Sequence, residues 1–257
     1  MQKMKFPTKG MLTLLQRWRR AEACLWSYTV SHRMLMIRLQ KPDQPLENLS
    51  LWVGDVQYIQ APTSWSHSDI ELSVDGKDEF GDDVLLLTDR TANVCILGGI
   101  IEVAENLKRL RSIERNHSSD EAEYRASPAA QESLPPASLY ALLTKWSGAQ
   151  ARLWSYTADS RRLTIRLEAE ERDGNLHIVV SDTEYVELPH IWWHSQICFS
   201  MERDNWHGRD VIVLTDREAN VRVVGSRVDV WENVEPLEKF IWPREAVERV
   251  INWRKGR

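Results

Sequence analysis

The octet LTDRTANV ending at Val94 returns as LTDREANV ending at Val221, and the likeness reaches far beyond it. Leu14 to Leu39 (LLQRWRRAEACLWSYTVSHRMLMIRL) aligns without gaps on Leu142 to Leu167 (LLTKWSGAQARLWSYTADSRRLTIRL). After one residue of length difference in a connecting loop, Asn48 aligns on Asn175, and the register then holds to Asn106 and Asn233. Roughly half of the aligned positions are identical, which reads as two copies of one structural unit. Any fold for this chain must therefore be one that about 100 residues can build twice.

Within each copy the pattern is a helix followed by strands. Leu139, Leu142, Leu143 and Trp146 recur at helical spacing after Ser138, which is expected to cap the helix, and Thr8 to Trp18 repeats the arrangement. Period-two alternation follows: Leu35, Ile37 and Leu39 alternate with Met34, Met36 and Arg38. Further short runs such as LWSYTV, LSLWV, VQYIQ, IELSV, VLLLT, NVCIL and GIIEV are separated by turn residues, which favours antiparallel meanders over parallel crossovers. The expected class is mainly β with a few helices. It comprises two tandem copies of a small antiparallel meander or partly open barrel, with six to eight strands and an N-terminal helix in each.

The segment IERNHSSDEAEYRASPAAQESLPPAS between the copies is polar, charged and proline-bearing, a composition that cannot bury enough apolar surface to offset ordering. The expected organisation is a first domain at 8–106, a flexible linker at 107–137, a second domain at 138–241 and an amphipathic helix at 242–257. That helix is read from Pro243 in a first turn, apolar Val247, Val250 and Ile251, and basic residues at the end.

Composition narrows the classes. With 42% hydrophobic and 28% charged residues the 257-residue chain can bury a substantial core, and no run approaches the roughly 20 apolar residues of a membrane span. The start has early lysines but only a short apolar run before Arg17, so no export signal is read. Three scattered cysteines, Cys24, Cys95 and Cys198, suit a reducing compartment, and the expected location is cytoplasmic. A net charge of −5 disfavours general nucleic-acid binding, although basic residues gather at Lys3, Lys5, Lys9, Arg17, Arg19 and Arg20 and at Lys108, Arg109, Arg111 and Arg115.

The repeated octet reads first as a hairpin loop kept for its turn chemistry, since Asp, Asn and Thr bond locally to backbone. A sharper reading makes Asp89, Arg90 and Asn93, with Asp216, Arg217 and Asn220, a recognition loop in which arginine anchors an acidic group. Twelve tryptophans are many for this length. The pairs Trp18 and Trp146, Trp26 and Trp154, and Trp65 and Trp192 coincide between copies and are expected in the core. The unmatched Trp52, Trp193, Trp206, Trp231, Trp242 and Trp253 are freer to anchor a partner.

Chemical motifs are sparse. Both copies keep a histidine beside a serine (His67 and Ser68, His194 and Ser195), together with Asp55 and Tyr58 or Asp182 and Tyr185. Neighbours on a strand point to opposite faces, and no nucleophile elbow accompanies them, so structural histidines are expected. His190 and His194 are four apart with His177 and His207 nearby, but the first copy has Thr63 and Ser50 where the second has His190 and His177, and no metal site is expected. LGGIIEV becomes VGSRVDV in the second copy, and no phosphate cradle or other cofactor motif is present.

The expected function is a non-enzymatic protein-binding, adaptor or scaffold protein. Its partner-binding candidates are Trp193, Trp206, Trp231, Arg90 and Arg217, with a protein as partner, no membrane and no cofactor. One alternative is an enzyme with a cleft lined by Asp55, His67 and Asp89 or by Asp182, His194 and Asp216. Another is a nucleic-acid binder acting through the basic patches.

Overall fold

The computed structural model describes residues 6–78, 80–105, 136–203 and 208–233. The chain opens with α1 (Lys9–Arg17), capped by the Thr8 hydroxyl, which accepts from the Met11 N–H at 3.3 Å. Nine strands follow: β1 (Glu22–Thr29), β2 (Met34–Lys41), β3 (Gln44–Gly54), β4 (Tyr58–Pro62), β5 (Ser64–Trp65), β6 (Ile70–Lys77), β7 (Asp83–Asp89), β8 (Val94–Gly98) and β9 (Ile100–Glu105). The same order recurs after α2 (Pro136–Lys145), as β10 (Gln150–Thr157), β11 (Arg162–Glu168), β12 (Asn175–Ser181), β13 (Tyr185–Pro189), β14 (Ile191–Trp192), β15 (Cys198–Arg203), β16 (Asp210–Asp216), β17 (Val221–Gly225) and β18 (Arg227–Asn233). The second helix already includes Ser138, so its start lies upstream of the residue expected to cap it.

Among the described residues the protein is mainly β, with its strands in two antiparallel sheets and no closed barrel. One sheet has ten strands, eight of them in the order β18-β12-β11-β10-β1-β2-β3-β9, with β14 added on β10 and β5 on β1. The other has eight, in the order β15-β16-β17-β13-β4-β8-β7-β6. Each sheet runs through both halves of the chain, which differs from a meander or barrel curled up within each half. The joints are β1 on β10 and β4 on β13. At the first, Tyr28 faces Tyr156, and at the second, Gln60 faces Glu187; these residues are counterparts in the sequence alignment. The physical reason is the open edge: β1 and β4 would each present a row of unpaired N–H and C=O groups, and pairing with the matching strand satisfies both.

Inward-facing residues of the two sheets join one contiguous core. Leu25, Ile37 and Leu51 of the ten-stranded sheet meet Ile59, Leu87 and Ile96 of the other, and Leu153, Ile165, Ile178, Val186, Leu214 and Val223 continue it in the second half. Trp18 and Trp146 close it from beside the helices, and their indole N–H groups donate to Glu105 at 2.6 Å and Glu232 at 2.9 Å. Gly98 and Gly225 lie at close backbone approaches. A Cβ on Gly98 would meet Val53 Cγ1 at 2.6 Å, and one on Gly225 would meet Val180 Cγ1 at 2.5 Å.

One expected core pair is elsewhere. Trp26 and Trp154 are only partly buried, because the strand register shifts between Leu25 and Ser27 and between Leu153 and Ser155. Each bulge leaves its tryptophan away from the core, beneath a guanidinium: Arg38 lies 4.7 Å from the Trp26 ring centroid and Arg166 4.2 Å from that of Trp154. The helix expected at 242–257, most of the linker, Trp206, Trp242, Trp253, His207 and the basic residues at 108–115 lie outside the described residues, as do Lys3 and Lys5. Among the described residues no helix is long and apolar enough to cross a membrane.

Candidate functional site

The aspartate of each repeated octet ends a strand with its side chain fully enclosed. Asp89 is 0% exposed and Asp216 1%. Asp89 Oδ2 accepts from Trp65 Nε1 at 2.9 Å and from the Asp69 N–H at 2.7 Å, while Oδ1 accepts from the Thr91 N–H at 3.0 Å and from its hydroxyl at 2.6 Å. In the second half Asp216 Oδ2 accepts from Trp192 Nε1 at 3.0 Å and from the Gln196 N–H at 2.7 Å. Several donors to one carboxylate are what make a buried charge tolerable. The aspartate therefore ties two segments together, residues 65–69 to 89–93 and residues 192–196 to 216–220.

Backbone conformation explains the rest of the octet. Asn93 (φ 53°) and Asn220 (φ 54°) occupy the left-handed region, which asparagine tolerates better than most residues. Arg90 and Arg217 are exposed beside these turns. His67 (φ 58°) and His194 (φ 53°) also sit in left-handed turns, not within strands, and both are exposed while Ser68 and Ser195 are buried. His67 Nδ1 lies 3.2 Å from Ser66 Oγ.

The acids of the alternative cleft are engaged locally. Arg33 donates to Asp55 at 2.5 Å, and Arg161 donates to Asp182 at 3.0 Å. The Ser226 hydroxyl, which donates to Asp182 at 2.7 Å, holds that carboxyl below its usual range despite partial desolvation, with Arg161 adding to the effect. The Thr91 hydroxyl lies between Asp89 and the His67 carbonyl, but among the described residues no hydrogen bond joins the His67 ring to Asp55 or Asp89, so the three side chains are not linked into a relay. Likewise His177, His190 and His194 are not brought together. His177 faces away from the core, His190 is buried against the Gln57 carbonyl with Nδ1 at 3.3 Å, and His194 is exposed. Among the described residues no three His, Cys, Asp or Glu side chains are grouped to hold a metal ion.

The partner-binding candidates are dispersed. Trp193 is partly exposed in the segment held by Asp216, Arg217 is exposed in the facing turn, and Arg90 is exposed at the matching turn of the first half. Trp231 lies instead on β18, its ring centroid 5.6 Å from that of His177. Comparison with protein-family models, curated proteins and solved structures returns no match.

Sequence reasoning missed a polar cluster on the outer face of the ten-stranded sheet. Cross-strand pairing aligns Arg152, Arg166, His177 and Trp231 in one row over β10, β11, β12 and β18. Glu168 pairs with both arginines, Arg166 Nε lying 2.9 Å from Oε1 and Arg152 reaching Oε2. Both guanidiniums stand over Trp154, at 5.2 Å and 4.2 Å, and the ring of His177 is tilted between Trp154 and Trp231. Burial, with Arg166 and Arg152 adding repulsion, depresses the His177 pKa to about 3, so the imidazole is neutral. The sequence signal was NLHIVV, a strand buried on both faces that nonetheless carries Asn175 and His177.

Proposed function

We propose that the chain is a non-enzymatic protein-binding or adaptor protein, built as a tandem duplication whose halves offer two related loop surfaces to a protein partner. The observation that carries this reading is the shared frame with divergent exposed positions. Asp89 and Asp216 hold equivalent pairs of segments with equivalent hydrogen bonds, yet Ser66 in the first half stands where Trp193 stands in the second. A rigid frame that leaves an arginine and, in one half only, a tryptophan at the surface suits an anchor residue buried on binding. The arginines add bidentate recognition of an acidic group. The acids that a cleft enzyme would use are instead occupied by local partners.

The test is affinity purification from the native cell with the full chain, followed by calorimetry on the recovered partner. Trp193→Ser installs the first-half residue and should weaken binding at least tenfold, with Arg217→Ala smaller in effect. Unchanged affinity in a Trp193→Ser, Arg217→Ala double variant that melts like wild type would refute the assignment of the surface.

A further inference from the structure

We infer that the outer edge of β15 is a self-association site, where a second copy of this chain adds its own β15 antiparallel about a two-fold axis. β15 ends the eight-stranded sheet, and among the described residues no strand lies on its other side. Its pairing is regular: Cys198 to Arg203 run against Thr215 to Asp210 without a register shift, and every residue of the strand but Phe199 is exposed. A straight, exposed edge presents a row of N–H and C=O groups, which is a template for another strand. The edge also carries apolar surface. Phe199 packs at the rim of the core with its ring stacked on Tyr140 at 4.6 Å, and Tyr140 (49% exposed) and Met201 (71%) continue the strip into solvent.

The occupant follows from how this chain pairs its other strands and from charge. The joints of β1 on β10 and β4 on β13 are antiparallel pairings between equivalent strands, each about a local two-fold. A second copy brings a strand identical to β15, with the same edge free. With Ser200 on the axis, Phe199 faces Met201 of the second copy and Cys198 faces its Glu202, so apolar residues meet and like charges do not.

The matching edge at the other end of the sheet is closed to this use. In β6, Ser73 stands for Ser200, and the same register would set Glu71 against Asp75 of the second copy, acid against acid on both sides of the axis. The register of β6 also shifts between Val74 and Gly76, a bulge that turns an edge away from a partner. One open edge per chain closes as a dimer, whereas two would grow a filament. A pairing of six residues buries little area, so the dimer dissociates on dilution. Self-association is measured on the pure chain, so its failure leaves the adaptor reading standing.

Sedimentation velocity of the full chain over a hundredfold dilution series gives the direct readout. The mass should rise with concentration from that of one chain toward that of two and stop there. Cys198→Glu installs the first-half acid opposite Glu202, and Met201→Lys removes the apolar contact; each should weaken association at least tenfold. If one misfolds, the other reads the same edge. Register is read by mild oxidation with glutathione disulfide in a Cys198→Ser background. There Ser200→Cys, on the axis, should give a covalent dimer, while Ser73→Cys on β6 and the background itself should not. A chain that stays monomeric throughout, assembly that grows past two copies, association unchanged in a folded Cys198→Glu or Met201→Lys variant, or equal cross-linking at positions 73 and 200 would overturn the assignment.

Discussion

Asp89 and Asp216 answer at the residue scale why one octet is written twice. Each is a buried carboxylate that accepts from its own loop and from the neighbouring tryptophan segment. Asp89→Ala strands the Trp65 indole and the Asp69 N–H, and the expected cost is about 2–4 kcal/mol, read as a lower urea midpoint. Asp89→Asn keeps the acceptor oxygen and should cost less. An alanine variant within about 0.5 kcal/mol of wild type would contradict this role. His177 and His190 give a second residue-scale expectation. Burial and nearby arginines (Arg166 and Arg152 for His177; Arg33 and Arg152 for His190) depress both to about 3, with the Gln57 carbonyl opposing the shift at His190. Between pH 6.5 and 3 the unfolded chain binds a proton at each site that the folded chain does not, so stability falls with falling pH. Each histidine should remove about 2 kcal/mol on going from pH 7 to pH 5. Urea melts at the two pH values should show this loss in wild type and a clearly smaller one in a His177→Ser, His190→Thr double variant. Equal losses in the two proteins would contradict it.

At the scale of elements, strand positions were legible because the apolar period of two appears directly in sequences such as MLMIRL, and the helices because their apolar spacing changes to 3.6. The face of Trp26 and Trp154 was not legible. A bulge adds a residue to one strand locally, and the alternation in LWSYT gives no sign of where it falls. Arg152, Arg166 and His177 were equally hidden, since they become neighbours only when three strands pair across the sheet. The loops were half legible. Their turn chemistry was visible in Asp and Asn, but the bond from Asp89 to Trp65 spans 24 residues and depends on β5 and β7 arriving together. Close packing between elements yields a further expectation. Gly98→Ala forces a Cβ to within 2.6 Å of Val53 and 2.8 Å of the Gly54 carbonyl, so β8 must move from β3. Overpacking of this kind should cost about 1–3 kcal/mol in thermal or urea melts, and Gly225→Ala should cost a similar amount. A variant as stable as wild type would show that the approach relaxes freely.

At the scale of the whole molecule, the repeated sequence predicted two copies but could not show how their strands combine. Edge pairing is a long-range choice between strands that are each complete in themselves, and nothing in β1 or β4 alone encodes β10 or β13 as partner. The result is two sheets that cross from one half to the other and a core fed by both. Hydrogen bonds between the halves extend the joint, with the Thr63 N–H donating to the Glu184 carbonyl at 2.8 Å and the His190 N–H to the Gln57 carbonyl at 3.0 Å. A molecule joined in this way should not come apart when only its connection is cut. The most direct measurement places a site-specific protease sequence within residues 107–137, cleaves the folded protein to completion and follows it by size-exclusion chromatography with light scattering. The account predicts that the two fragments co-elute at the mass of the intact chain and separate only in denaturant. Two folded fragments eluting separately at their own masses in native buffer would contradict it.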